Sequence, residues 1–273
     1  MVAQGGLTIT KSTARAEPAG APVFLTFWRL WQLVWPPTLA AVLILSLWSG
    51  AIWWFRLPNF VLPAPLEILL TATQDLNRLL SDTGTTILEA LVGYVSGALL
   101  GLALALLFVA IAPTERVVLP VYVTINSVPM VAYGPLAIIW FGIGPSSKIA
   151  LIVLAVSYQI LINALAGLRG CDPAAIALLR SFGASERTIL LKLRLPGSLP
   201  AVVFGLRVAI VHAMILAVVL EMLGAKSGLG WSIYKSTQMM DFVEAWAAVG
   251  ASVQVSLVIY AIVSWAGRHF VWW

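Results

Sequence analysis

Apolar stretches about as long as a bilayer crossing alternate with short polar connections along almost the whole chain. A helix rises about 1.5 Å per residue, so crossing a hydrocarbon layer about 30 Å thick takes roughly 20 mostly apolar residues. Six stretches meet that requirement: 36–55, 85–111, 116–140, 148–168, 198–222 and 244–266. The first ends in Trp53 and Trp54, rings of the kind that settle at a membrane–water boundary. The pattern predicts an all-α membrane protein with six transmembrane helices.

The segment 63–80 follows a different rule. Leu66, Leu69, Leu70, Leu76 and Leu80 share one helical face, while Glu67, Asp75 and Arg78 make it too polar to span. Pro63 and Pro65 suit a helix start. This stretch is expected to be a short interfacial helix after span one, lying along the membrane surface or capping the bundle.

Composition agrees with a lipid solvent. The 273 residues are 61% apolar and 10% charged, with 12 Trp; a soluble domain carries about 25% charged residues. The net charge of +5 is modest, and no basic run interleaved with aromatics points to nucleic acid. The single Cys171 excludes an intrachain disulfide and a Cys-paired metal site. Residues 1–22 are polar and rich in Gly, Ala and Pro, without the apolar core of a secretory leader, and are expected to form a flexible tail. Residues 23–273 are expected to form a single transmembrane domain.

Lys and Arg set the orientation, because cytoplasmic loops carry the excess. With the N-terminus inside, the inner segments hold Lys11, Arg15, Arg29, Arg116, Arg169, Arg180, Arg187, Lys192, Arg194 and Arg268. The outer segments hold Arg56, Arg78, Lys148, Lys226 and Lys235, and Arg207 lies within a span. The bias places both termini in the cytoplasm.

The connection between spans four and five, Arg169 to Pro200, is too long for a turn and too charged for lipid. Asp172 and Pro173 suit a helix start, Gly183 permits a turn with positive φ, and Ser185 with Glu186 suits a second start. Ile176, Leu179, Phe182, Ile189, Leu190 and Leu193 stand beside basic residues. Such a helix–Gly–helix element fits the groove of a soluble motor, or rests on the bilayer as an amphipathic loop.

Within the spans, Gly93, Gly97 and Gly101 recur every four residues. That spacing lets helices approach closely, within one subunit or at a subunit seam. Pro129 and Pro135 interrupt span three. Asn126, Ser127, Tyr133, Tyr158, Gln159, Asn163, Arg207, His212 and Glu221 are candidates for a substrate path, since polar groups in spans are costly and so tend to be functional. Their alternative role is interhelical hydrogen bonding. Glu89 is placed near the outer end of span two, within reach of the interface, and Glu221 is a candidate outer-gate residue or partner of Lys226.

Several motifs resemble the membrane subunits of ABC importers. Those proteins carry a loop patterned E-A-A-x-x-x-G, nine residues, then I-x-L-P. Gly183, Leu193 and Leu195-Pro196 fall in that register, with Ala177, Leu178 and Leu179 at the Glu-Ala-Ala positions and Leu193 at the Ile. Pro129 to Ile149 is similar to the P-x-x-A-x-x-P-L-x-I-x-W-F-G-I-G-x-x-S-K-I segment of the nitrate/sulfonate/taurine branch, as are LPAPLEIL at 62–69, GLR at 205–207 and Glu221 to Trp231. The resemblance covers about 58–265.

The resemblance implies a permease in the bacterial inner membrane that moves a small anion such as nitrate, a sulfonate or taurine. Related permeases carry bicarbonate, pyrimidines, flavins or aromatic acids. It implies ABC ATPase subunits, a second permease copy as a homodimer, and an extracytoplasmic binding protein as partners, besides membrane lipid. It assigns a coupling loop at 169–197, with ATPase contact through Ala177, Arg180, Ser181, Phe182, Gly183, Ala184, Ser185, Leu193, Leu195 and Pro196. The chain has no G-x-x-x-x-G-K-[ST] loop, so ATP and Mg are expected on partner subunits, with no cofactor or metal on this chain and no catalytic residue. The rivals are a membrane-embedded enzyme, for which no catalytic motif stands in the sequence, and a stand-alone channel or secondary transporter.

Overall fold

The structure, a computed structural model, describes the backbone of residues 23–270 and the side chains of residues 35–269. The tail expected at 1–22 lies outside the described residues, as do the side chains of Lys11, Arg15 and Arg29. Among the described residues every regular element is helical.

Helix α1, Val23–Phe55, belongs to one compact unit, and the chain from Arg56 onward forms a second. The stretch Trp35–Phe55 is long and apolar enough to cross a membrane. Its Leu43, Leu47, Trp53 and Trp54 are exposed, an arrangement that suits a lipid solvent.

The second unit begins with α2, Pro65–Gln74, followed directly by α3, Leu76–Ala110. The segment 63–80 is therefore not one helix. Asp75 leaves the helical region at φ −107 and ψ 30, and Leu76 to Leu80 belong to the first turns of a 35-residue span. Leu66, Leu69 and Leu70 of α2 are exposed.

Span three is a bent pair. Helix α4, Ala112–Asn126, and α5, Gly134–Phe141, are separated by a tight turn at Met130–Tyr133, and the two halves meet at 87°. Pro129 has no N–H to carry the ladder forward and disfavours helical geometry at the residue before it. Among the described residues five helices are long and apolar enough to cross a membrane, and the bent pair makes a sixth when taken as one span.

Helix α6, Pro145–Arg169, packs along α3. Gly93, Gly97 and Gly101 form the seam: an added Cβ would stand 2.6 Å from Ile152 at position 93 and 2.8 Å from Val156 at position 97, and would meet the Ser157 carbonyl at position 101. Helix α9, Leu195–Gly224, closes the core, burying Ala209, Ile210, Ala213, Met214 and Ala217 with Ala90, Ile152, Val156 and Ile160.

Helix α7, Pro173–Ser181, stands in the connection before α9. Helix α8, Glu186–Ile189, does not stand alone: it passes through a widened turn at Leu190–Arg194 straight into α9. Pro196 cannot donate to the carbonyl four residues back, and the wider turn accommodates its ring. Beyond Gly224 a further helix, α10, Leu229–Gln238, packs against α9 and α11, Phe242–Phe270.

Candidate functional site

The polar candidates separate into two places. Asn126 at the end of α4, Tyr158, Gln159 and Asn163 on α6 and His212 on α9 line one cavity of about 430 Å³ with Met130, Ile162 and Leu216. Asn126 and Asn163 each donate one amide proton to the carbonyl a turn back, Tyr122 at 3.0 Å and Gln159 at 2.8 Å. A primary amide has a second proton and an acceptor oxygen, so these anchored side chains retain polar capacity toward the cavity. His212 also lines an adjoining cavity of about 330 Å³ with Arg207, Phe204 and Tyr260. Arg207 Nη2 donates to the Ser264 carbonyl at 3.2 Å.

Ser127 and Tyr133 stand outside this group. Ser127 is exposed and donates to the Val123 carbonyl at 2.8 Å, and the Tyr133 hydroxyl donates to the Ile125 carbonyl at 3.2 Å. Both serve the backbone of the broken span.

Glu221 belongs to a second place, a buried polar knot. It accepts from Thr86 at 3.0 Å and from the Gly230 amide at 2.7 Å. Thr86 accepts from the Leu229 amide at 2.9 Å, while Asp82 accepts from the Gly228 amide at 2.9 Å and from Ser232 at 2.6 Å. Gly228 has φ +106, and a Cβ there would meet the Glu221 carboxylate, so only glycine fits. The three side chains together thread the turn between α9 and α10. Lys226 is exposed, so Glu221 pairs instead with Thr86 and Gly230.

Lys148 corrects the charge tally. It is not a loop cation: it is 2% exposed, and its Nζ donates to the carbonyls of Ile143 at 2.5 Å, Gly144 at 3.2 Å and Gly224 at 2.5 Å. Removing it leaves four outer cations against ten inner ones, which strengthens the bias. Glu89 is likewise buried rather than at the interface. Asp82, Thr86 and Glu89 lie four and three residues apart on α3, a polar stripe that helical spacing makes readable once a span is extended back to Leu76.

The connection between α6 and α9 is built from local caps. Asp172 accepts from the Ala174 amide at 2.9 Å, and Ser185 accepts from the Thr188 amide at 3.3 Å. Gly183, at φ +75, turns the chain between them. Arg180 bridges the turn to Glu186 at 2.7 Å. Phe182 is 79% exposed at the tip, Ala177, Ser181, Gly183 and Ser185 are exposed around the turn, and Pro196 is exposed at the start of α9. Ala184, Leu193 and Leu195 are half-buried, and Leu195 packs on the cluster of Phe108, Leu165 and Leu168. Buried Ile189 fixes the base of the element. Arg169 and Glu115 form an ion pair beside it.

Among the described residues no group of His, Cys, Asp and Glu is placed to hold a metal ion.

The family described as binding-protein-dependent transport system inner membrane component matches residues 97–271. A probable ABC transporter permease of Haemophilus influenzae is 33% identical over 236 residues, 86% of this chain and 96% of that protein. The taurine transport system permease of Escherichia coli is 33% identical over 246 residues, 83% of this chain and 86% of that protein. A solved chain of a methionine ABC transporter in inward-facing conformations covers 71% of this chain and 93% of its own, at 18% identity and a TM-score of 0.54, and so shares the fold.

Proposed function

We propose that this chain, which belongs to the family of binding-protein-dependent transport system inner membrane components and is the membrane subunit of an ABC importer, passes a small sulfonate-type anion through its bundle. The observation that carries the substrate reading is the convergence of Asn126, Tyr158, Gln159, Asn163 and His212 on one cavity inside an otherwise apolar core. Neutral N–H and O–H donors suit an oxyanion that must be held and then released, because a full counter-charge in a low-dielectric bundle would retain it. Similarity to a taurine permease supplies the anion class.

The proposal extends to the assembly. Two copies of this chain pair in the bacterial inner membrane with both termini inside, ATP and Mg are held by ATPase subunits, and the chain itself catalyses no covalent chemistry. The ATPase seats on the 169–197 loop, where exposed Phe182 stands as an apolar knob between Arg180 and Ser185. Helix α2, with its exposed Leu66, Leu69 and Leu70, lies along the membrane surface.

Proteoliposomes holding the permease, its ATPase subunits and its binding protein test the reading. ATP-dependent uptake of labelled sulfonates is expected, and Asn163→Leu and His212→Leu each lower it by about tenfold, the loss of one or two hydrogen bonds. Uptake of bicarbonate, a pyrimidine, a flavin or an aromatic acid in place of sulfonates would overturn the substrate class and leave the permease role standing.

A further inference from the structure

Arg207 is a cation inside span five with no acid to meet it. No Asp or Glu stands on α9 from Leu195 to Leu220 or on α11 after Glu244, and Arg207 enters no ion pair among the described residues. A guanidinium carries five N–H protons. One goes to the Ser264 carbonyl from Nη2 at 3.2 Å, and Nε is buried without a partner. The group is nonetheless held in place. An added Cβ at Gly267 of α11 would stand 3.1 Å from Nη2 and 3.2 Å from Nε, so α11 is cut back where the guanidinium lies. A charge fixed within a span and left unanswered marks a place where something else answers it.

Depth indicates what that is. From Arg207 to Gly224 is roughly 25 Å of helix at about 1.5 Å per residue, so with Gly224 at one face of a layer about 30 Å thick, Arg207 stands near the other. The contacts of Arg207 with Ser264 and of Val203 with Gly267 set α11 antiparallel to α9. Its end carries markers of the same boundary: exposed Trp265, 5.7 Å from His269 between ring centroids, and exposed Arg268.

The cavity of about 330 Å³ at Arg207 is lined otherwise by Phe204, Val208, Val211, His212 and Tyr260. Toward the middle of the layer, exposed apolar positions continue from it: Val211 and Ile215 on α9, Leu257 and Val253 on α11. A basic pocket between spans at headgroup depth suits an anionic lipid, because guanidinium pairs well with phosphate oxygens. A free phosphate offers the same oxygens but leaves the apolar strip uncovered.

We propose that this cavity is a lipid site: the phosphate of an anionic phospholipid of the inner leaflet lies against Arg207, and its acyl chains run along Val211, Ile215, Leu257 and Val253. The inference is independent of the substrate reading. Its choice of leaflet rests on the proposed orientation.

The test uses the permease with its ATPase subunits, purified in detergent and titrated with phosphatidylglycerol or phosphatidylcholine under native mass spectrometry. The wild type is expected to retain phosphatidylglycerol about fivefold more tightly than phosphatidylcholine, or better. Arg207→Gln brings the two together, and Arg207→Lys, which keeps the charge, keeps the preference. A second measurement needs no variant: phosphatidylglycerol with a photoactivatable acyl chain is expected to label α9 near Val211 or α11 near Leu257. Equal retention of the two lipids by the wild type, or labelling confined to other helices, overturns the inference. Displacement of the labelled lipid by an equal concentration of glycerol phosphate makes this a site for free anions and overturns the lipid assignment. A disulfide between two copies carrying Phe204→Cys and Cys171→Ser places a second permease on this face and overturns it too. Labelling of Cys171 from outside overturns the leaflet alone and leaves the phosphate contact standing.

Discussion

The Gly230 amide donates to the Glu221 carboxylate at 2.7 Å, and a Cβ at position 230 would stand 2.8 Å from the Cβ of Glu221. The hydrogen bond and the close approach are one fact. The backbone reaches the acid because residue 230 has no side chain. Gly230→Ala would also drive its methyl into the Val218 carbonyl, which belongs to a helix backbone and cannot swing aside. The expected cost is about 1–3 kcal/mol of overpacking, seen as a lowered melting temperature of the purified protein in detergent. An unchanged melting curve would contradict the geometry of the knot.

The glycine seam between α3 and α6 predicts an order. At Gly93 the obstruction is the side chain of Ile152, whereas at Gly97 and Gly101 it includes the carbonyls of Val153 and Ser157. Alanine is therefore expected to destabilise most at 101, less at 97 and least at 93, within about 1–3 kcal/mol each. Thermal melts of the three single variants check the ranking, and a reversed order rules out this packing.

The coupling role proposed for the 169–197 loop is separable from folding at its tip. Phe182→Ala removes a side chain that is 79% exposed, so the stability of the chain alone, read by thermal melting, is expected to stay within about 0.5 kcal/mol of the wild type. ATP-driven uptake is expected to fall severalfold. Gly183→Pro, which forces φ from +75 to about −65, is expected to abolish uptake while the protein still inserts. Normal uptake in either variant removes the loop from the force path.

Orientation has a natural reporter. Cys171, half-exposed beside the carbonyl of Leu193, is the chain's only cysteine. A membrane-impermeant maleimide is expected to label it in inside-out vesicles and not in intact spheroplasts. The opposite pattern would invert the topology.

Most of the architecture was readable from apolar run length, because a lipid solvent leaves few alternatives to a helix of about 20 residues. The caps of α7 and α8 were readable for a different reason: Asp172, Gly183 and Ser185 act on amides a few residues away. What escaped depended on partners distant in sequence. Lys148 reads as a loop marker in any charge tally, yet it is buried because carbonyls at 143, 144 and 224 receive it. The 87° bend at Pro129 and the helix Leu229–Gln238 escaped likewise, since proline permits a kink without setting its angle and α10 is too short for a span. Of the path candidates, Asn126, Tyr158, Gln159, Asn163 and His212 meet at one cavity, while Glu221 lies in the knot because Thr86 and the Gly230 amide hold it there and Gly228 leaves it room.

The widened turn at Leu190–Arg194 keeps helix running without a break from Glu186 to Gly224, 39 residues in all. At about 1.5 Å per residue this is a rod of about 58 Å, nearly twice the thickness of the hydrocarbon layer. One end stands beside the Phe182 tip, and at the other the Gly224 carbonyl grips Lys148. A thrust on the proposed coupling tip would enter this helix beside Ser185 and leave it at the lysine's cage, so one continuous element joins the two places.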